Sequence, residues 1–296
     1  MKKIFVLSLS AFCFLSSPLF GTEMGNFFVG FKYWYTFWES GALKFFDTQL
    51  AQTYNDLGVP ISVDSDPGPG FLSGPIFGYQ TPDGKLNVSF APMVFNHSSQ
   101  KQSITDLSAS GETVVSDVDM YRRDFDLAIS YSLSDLRSVL PFFEYCKLFV
   151  GFKHQVVDLD IDSASYTNGI ENFDRSSHME MNYVAQMPTI GLGIAYPFTQ
   201  KVVLNVQGGI GLVFLDSEDS HISIDWGDTR SIDPDNSVSY NAEVGLNILP
   251  LKKMIVQVGY RYQQWKFSVK NEEDFTQSDN TDDVTHGPSI VVVYAF

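Results

Sequence analysis

Cysteine is nearly absent. The 296 residues contain two, Cys13 and Cys146, and Cys13 lies in a stretch that reads as a leader. The mature chain therefore has no intrachain disulfide to hold it. Long apolar runs are missing too. Beyond the first twenty residues nothing approaches the roughly 18 uninterrupted apolar positions that a membrane-spanning helix requires, so the chain has no such helix. Basic residues are scarce, 19 Lys and Arg against 35 Asp and Glu, for a formal net charge of −16. Clustered Lys and Arg drive phosphate binding, so nucleic acid is excluded as a partner class. Spacings that would mark chemistry are also lacking. His97, His154, His178 and His286 are isolated in sequence, with no zinc spacing and no Ser-His-Asp or Cys-His context. No cofactor is implied, and no metal site is assigned.

The N-terminus reads Met1-Lys2-Lys3, an apolar run from Ile4 to Leu15, then Ser16-Ser17-Pro18-Leu19-Phe20-Gly21. A basic start, a short apolar core and a small-residue exit describe a secretory signal peptide over residues 1–21, leaving 22–296 as one domain. Phe12 precedes Cys13 where a lipoprotein signal would need a small residue, so lipid anchoring is not expected. Aromatic residues make up 15% of the chain and Gly occurs 22 times, a mixture that suits membrane strands with aromatic girdles.

After the leader, alternation of period two dominates. A first strand from Asn26 to Glu39 sets Phe27, Val29, Phe31, Tyr33, Tyr35 and Phe37 against Gly30, Lys32, Trp34 and Thr36. Ser40 to Gly70, rich in Asp, Pro and Gly, reads as loop. Strands at Phe71–Thr81 and Leu86–His97 flank Pro82-Asp-Gly-Lys85, a tight turn because Pro presets φ and Gly accepts positive φ. A polar loop, Ser98–Val118, precedes a strand at Asp119–Leu133, and a short link leads to another at Phe142–Asp160. Loops at Ile161–His178, Asp216–Asp235 and Lys270–His286 separate five further strands, with short turns at Pro197–Lys201 and Leu249–Lys253. Pro188 is expected to mark a bulge or shift of phase in the sixth strand. Leu148-Phe-Val-Gly-Phe-Lys-His154 echoes Phe27-Phe-Val-Gly-Phe-Lys-Tyr33, which puts Gly30/Lys32 and Gly151/Lys153 at equivalent inward positions.

The last residues, Pro288-Ser-Ile-Val-Val-Val-Tyr-Ala-Phe296, carry the clearest resemblance. Ile290, Val292, Tyr294 and Phe296 share one apolar face, and a terminal strand ending in Phe resembles the closing strand of bacterial outer-membrane β-barrels. The resemblance implies that this strand is the signal read by the barrel-assembly machinery, with outer-membrane lipid as the surrounding partner. It also implies location in the outer membrane of a Gram-negative envelope. The expected fold is all-β, a single transmembrane antiparallel up-and-down barrel of about ten strands. Alternation of short turns with long loops puts the turns in the periplasm and the loops outside, and an even strand count makes the closing strand pair with the first.

Collected from the ten strands, the expected lumen-facing polar residues are Lys32, Arg122, Asp124, Asp126, Lys153, Asn205, Gln207, Asn241, Glu243 and Arg261. Such residues are costly in lipid but stable in a narrow lumen when they pair. Charges of both signs among amides favour a filled, ion-paired core over a charged pore. Asp158, Asp160 and Asp162, with Asp279, Asp282 and Asp283, read as a solvated acidic rim, since no Gly-bearing loop of calcium-binding spacing surrounds them. Gln186-Met-Pro-Thr-Ile-Gly-Leu-Gly193 and Asp216-Ser-Glu-Asp-Ser-His221 resemble the ten-stranded omptin proteases. That resemblance would make Asp219 and His221 the pair that positions a base for an attacking water. The acidic pair the family needs after the third strand is replaced here by Phe95-Asn96-His97-Ser98, and Asp117 and Asp119 lie at the far end of the same loop. No catalytic residue is therefore assigned. The reading is a non-enzymatic surface, structural or narrow-channel protein, with an omptin-like endopeptidase as the alternative; the extracellular partner is not legible.

Overall fold

A computed structural model describes residues 27–56, 58, 60–65, 68–96, 100–107, 113–161, 179–224, 228–231, 236–267 and 281–296. The expected signal peptide, Asp162, Asp279, and the isolated His97 and His178 lie outside these residues. The elements are β1 (Phe27–Glu39), α1 (Gly41–Asp56), β2 (Ile61–Ser65), β3 (Pro69–Gln80), β4 (Leu86–Asn96), β5 (Gln100–Asp106) and β6 (Thr113–Ser132). They continue with β7 (Cys146–Ile161), β8 (Met179–Thr199), β9 (Val202–Ile224), β10 (Asp228–Ser231), β11 (Ser237–Leu251), β12 (Met254–Phe267) and β13 (Thr281–Ala295).

Ten of these strands close on themselves in the order β1-β3-β4-β6-β7-β8-β9-β11-β12-β13, with every neighbour antiparallel and β13 returning to β1. Closure leaves the barrel wall without an unpaired edge, the condition for a sheet to cross lipid. The seam joins the first strand to the last: Phe28 faces Ala295, Lys32 faces Val291 and Phe37 faces His286. The Phe296 amide donates to the Phe27 carbonyl at 2.9 Å. The start of β1, the end of β13 and the turns at 81–85, 133–145, 200–201 and 252–253 therefore lie at one end of the barrel, the turn end; the long connections start from the other, the loop end.

Each strand alternates between an outward apolar face and a buried inner face. Phe27, Phe31, Tyr33 and Phe37 are exposed while Phe28, Lys32, Trp34, Thr36 and Trp38 are buried. Ten residue steps from Phe27 to Phe37, at about 3.3 Å each and tilted about 40°, give an apolar belt about 25 Å tall. Aromatic pairs rim it at both borders. Phe27–Tyr79, Tyr196–Phe198 and Tyr294–Phe296 sit at the turn end; Tyr35–Phe71 and Phe37–His286 sit toward the loop end. The closing-strand residues Ile290, Val292, Tyr294 and Phe296 lie on this outward face, and Ser289, Val291, Val293 and Ala295 are buried behind them.

Four expectations from sequence are corrected. First, beside the expected all-β barrel, the segment expected as loop after Ser40 forms α1. Its start is fixed by Ser40, whose hydroxyl accepts from the Leu43 amide at 3.3 Å, an N-cap that outweighs the loop-like composition downstream. Second, the 98–118 and 216–235 segments are partly strand, because β5 pairs with β6 and β10 with β9 beyond the barrel wall. Third, Pro188 causes no shift. It stands opposite Phe152 in unbroken register with β7, and the irregularities of β8 against β9 fall at Asn182/Val184 and Pro197/Thr199. Fourth, β13 begins at Thr281 rather than near Pro288, carrying Asp282 and Asp283 out of the expected loop.

Two positions at the turns and seam give direct tests. Gly287 has φ +149°, and a Cβ built there would lie 2.0 Å from the Tyr35 carbonyl oxygen on β1. Gly287→Ala is expected to cost about 1–3 kcal/mol through backbone strain and separation of the seam, read as a lower urea midpoint for the refolded barrel; an unchanged midpoint contradicts it. In the 81–85 turn, Gly84 takes φ +70°, and Asp83 accepts from the Thr81 hydroxyl and, at 3.1 Å, from the Lys85 amide. The Thr81 hydroxyl first, then the Lys85 amide, hold the Asp83 carboxyl below its ordinary value. Hydrogen bonding from the Lys85 ammonium does the same for Asp135. A folded value below the unfolded one means stabilisation present above the unfolded value and lost as pH falls through the folded one. Carboxyl carbon-13 titration of both residues should give midpoints below those of the urea-unfolded chain; a midpoint at or above the unfolded one contradicts the turn geometry.

Candidate functional site

The inner face of the barrel is the one place where charged side chains gather away from water. Residues i, i+2 and i+4 of a strand share a face, so β6 delivers Arg122, Asp124 and Asp126 inward together. Asp124 accepts from Arg122 Nε at 2.8 Å and from Nη2 at 2.9 Å, a bidentate pair, and its Oδ2 also accepts from Lys153 Nζ at 2.8 Å. Arg122 Nη1 donates to the Thr285 hydroxyl at 2.7 Å, and Lys153 to Gln263 Oε1 at 2.6 Å, linking β6 and β7 to β13 and β12 across the lumen. Asp126 lies 3.7 Å from Lys32, 3.7 Å from Lys153 and 3.6 Å from Arg261. The two matching Gly-Phe-Lys stretches thus send a lysine each, from β1 and β7, to the same carboxylate. Glu243 accepts from Gln257 at 2.7 Å. All of these charges are buried, and Asp124 is 0% exposed. Charged hydrogen bonds this short, closed around each other, are what a low-dielectric interior demands.

Toward the loop end this layer gives way to an apolar one. Trp34, Trp38, Phe45, Tyr183, Trp265 and Phe267 pack with Met93, Phe95, Met120, Leu159 and Val213 in one buried cluster, the inward residues of strands around the barrel meeting the first turns of α1. Arg122 lies 5.2 Å from the Trp38 ring and Arg261 4.5 Å from that of Trp34, so the two layers are joined by cation–π contacts. Asp283, read from sequence as rim, is 1% exposed. Its carboxylate accepts from Trp38 Nε1 at 3.2 Å and from the Gly41 amide at 3.2 Å, placing a negative charge at the positive end of α1. The partners sequence could not supply are Trp38 and the helix start; they bury a carboxylate that composition alone would leave in solvent. Toward the turn end a second apolar cluster, Phe28, Ile76, Ala91, Ile255, Val291, Val293 and Ala295, fills the interior.

Beside these layers lies a polar pocket of about 50 Å³, lined by Lys153, Gln207, Asn241, Glu243, Arg261 and Gln263 among others. At roughly 10–15 Å³ per water it holds about four waters. Asn205 is buried below it. Lys147, Gln155, Gln257, Gln263, Thr285 and Asp283 are buried inner-face polar residues that the sequence reading did not assign to the lumen. Continuing the period-two alternation back from Phe296 past Pro288 gives Asp283 and Thr285 the same face as Ser289, which was the available signal.

Asp219 and His221 do not lie in a loop. Both belong to β9, where His221 is registered against Asn182 on β8 and Ser231 on β10. Asp117 and Asp119 are on β6, paired with Lys101 and Asp160. β7 and β8 intervene, so three strand spacings of about 4.8 Å, about 14 Å, separate these backbones. Asp158 sits on the outer wall with Arg123, 3.0 Å away. Among the described residues, no three His, Cys, Asp or Glu side chains are grouped as a metal site requires.

No family model matches the chain, and no curated protein matches it. Among solved structures it resembles the outer membrane protease OmpT from Escherichia coli, at 12% identity and TM-score 0.46, covering 92% of this chain and 94% of that one. It resembles the translocator domain of the autotransporter NalP from Neisseria meningitidis at 11% and 0.46, over 92% and 89%. It also resembles the outer membrane protein OprG from Pseudomonas aeruginosa at 10% and 0.32, over 94% and 98%. The fold of this chain is a closed ten-stranded antiparallel β-barrel.

Proposed function

We propose that the protein is a closed, non-enzymatic barrel that sits in the outer membrane with its turn end in the periplasm and displays its acidic loop end at the cell surface. One observation carries the reading: the Arg122–Asp124–Lys153 network, tied to Thr285 and Gln263 on the far wall, crosses the lumen beneath a layer of buried tryptophans. A diffusion pore needs a continuous aqueous path, and the polar pocket beside this network has room for about four waters. The same interior lacks the graded, one-signed charge that selects ions. Lys32, Arg122, Lys153 and Arg261 stand against Asp124, Asp126, Glu243 and Asp283. The role left to such a body is to anchor and present its outer surface, whose length and acidity would repel anionic surfaces unless divalent ions bridge them.

Absence of peptidase activity belongs to this reading. The separation of about 14 Å between the β6 backbone at Asp117 and Asp119 and the β9 backbone at His221 supports it. Refolded protein in liposomes should swell no faster in small sugars than protein-free vesicles, and a peptide panel should be left intact by wild type and His221→Ala alike. Swelling that scales with protein overturns the closed barrel; cleavage that His221→Ala abolishes overturns the non-enzymatic part.

A further inference from the structure

Three of the turns at the turn end are polar and short, but the link between β6 and β7 is neither. Ser134–Ser138 and Pro141–Tyr145 form two 3-10 turns that contribute no buried residue. They expose Leu136, Val139 (72%), Leu140 and Phe142. Outward lipid-facing residues such as Ile190 and Leu192 are exposed to a similar degree. A segment this apolar, standing open on a water-facing loop, marks a surface that something covers.

The position of the segment says what covers it. Its ends are pinned to the wall: the Leu133 amide donates to the Cys146 carbonyl at 2.9 Å, and Asp135 pairs with Lys85 at 2.7 Å. Tyr145 packs edge-on against Tyr196 at 5.2 Å, and Tyr196 in turn against Phe198 at 5.8 Å, both on the outward face at the belt's lower border. The apolar turns thus continue the aromatic girdle that already meets lipid, and Arg137, an exposed charge within the first of them, suits a headgroup layer. We infer that the Leu136–Phe142 segment is a monotopic anchor lying in the interface of the membrane leaflet at the turn end, the periplasmic leaflet in the orientation proposed above. Its occupant is phospholipid. The barrel then holds its depth and tilt by this segment as well as by its strands.

Spin labels read this directly. In a Cys146→Ser background, Val139→Cys and Phe142→Cys are labelled with a nitroxide and refolded into phosphatidylcholine–phosphatidylglycerol vesicles, with Leu192→Cys as a lipid standard and Gln200→Cys as a water standard. Each variant is kept only if it retains the folded, heat-modifiable gel mobility. Collisions with oxygen should exceed those with an aqueous nickel chelate at 139 and 142, as at 192, and the order should reverse at 200. Labels at 139 and 142 that follow position 200 overturn the anchor. Dipolar broadening between labels that grows with protein-to-lipid ratio overturns it in favour of a second copy as the occupant.

Discussion

Asp124→Ala is expected to lower the stability of the refolded barrel by about 3–5 kcal/mol, because it strands Arg122 and Lys153 as uncompensated charges in a buried layer. Its carboxylate receives three hydrogen bonds of 2.8–2.9 Å from those two cations. Arg123→Ala, one residue away, should cost less than about 1 kcal/mol. Arg123 points outward to Asp158, and the two side chains are 53% and 36% exposed. Urea midpoints at unchanged m report both values. The cycle with Arg122→Ala adds the mechanism: removing both partners should cost less than the sum of the single changes, since the second deletion takes away a charge that the first left unpaired. Equal, small effects at 123 and 124 would mean that water reaches Asp124, and the filled interior would be wrong.

Phe45→Ala should act on the cap rather than on the wall. Phe45 is buried on α1 against Phe267, with ring centres 5.9 Å apart, and truncating a buried Phe costs about 3–5 kcal/mol. The helix is held by this contact, by Ser40 and by Asp283, whereas the strands are held by a closed ladder. The expected result is that amide hydrogen exchange over Gly41–Asp56 speeds up roughly a hundred- to several-thousandfold while β12 and β13 exchange as before. Faster exchange in all three elements would mean that the cap and barrel form one cooperative unit. No change in α1 would mean that the helix is not fastened through this ring.

The barrel was legible because its signal is local. A strand with one face in lipid must alternate, and Phe27 to Phe37 or Ile290 to Phe296 announce their outward face whatever they pair with. The inward list followed from the same parity, so Lys32, Asp124 and Arg261 could be named without knowing who meets whom. What parity cannot carry is the partner. That Lys32 and Lys153 share Asp126, and that Asp283 caps a helix beginning at Gly41, depend on contacts between residues far apart in the chain. Composition also misled where tertiary contacts outweigh it. Asp, Pro and Gly between Ser40 and Gly70 read as loop, yet burial of Leu43 and Phe45 against the inner wall makes the first part helical. Gly287-Pro288 looked like the beginning of a strand and is instead its middle, with Trp34 Nε1 donating to the Gly287 carbonyl at 3.1 Å.

Single-channel recording in planar bilayers tests the closed lumen most directly. Refolded wild-type protein, confirmed as inserted by protease protection of its strands, should give no discrete conductance above the bare membrane at either polarity. Stable unitary steps from the wild-type protein would contradict it, because ions would then be crossing the Arg122–Asp124–Lys153 layer that is proposed to close the lumen.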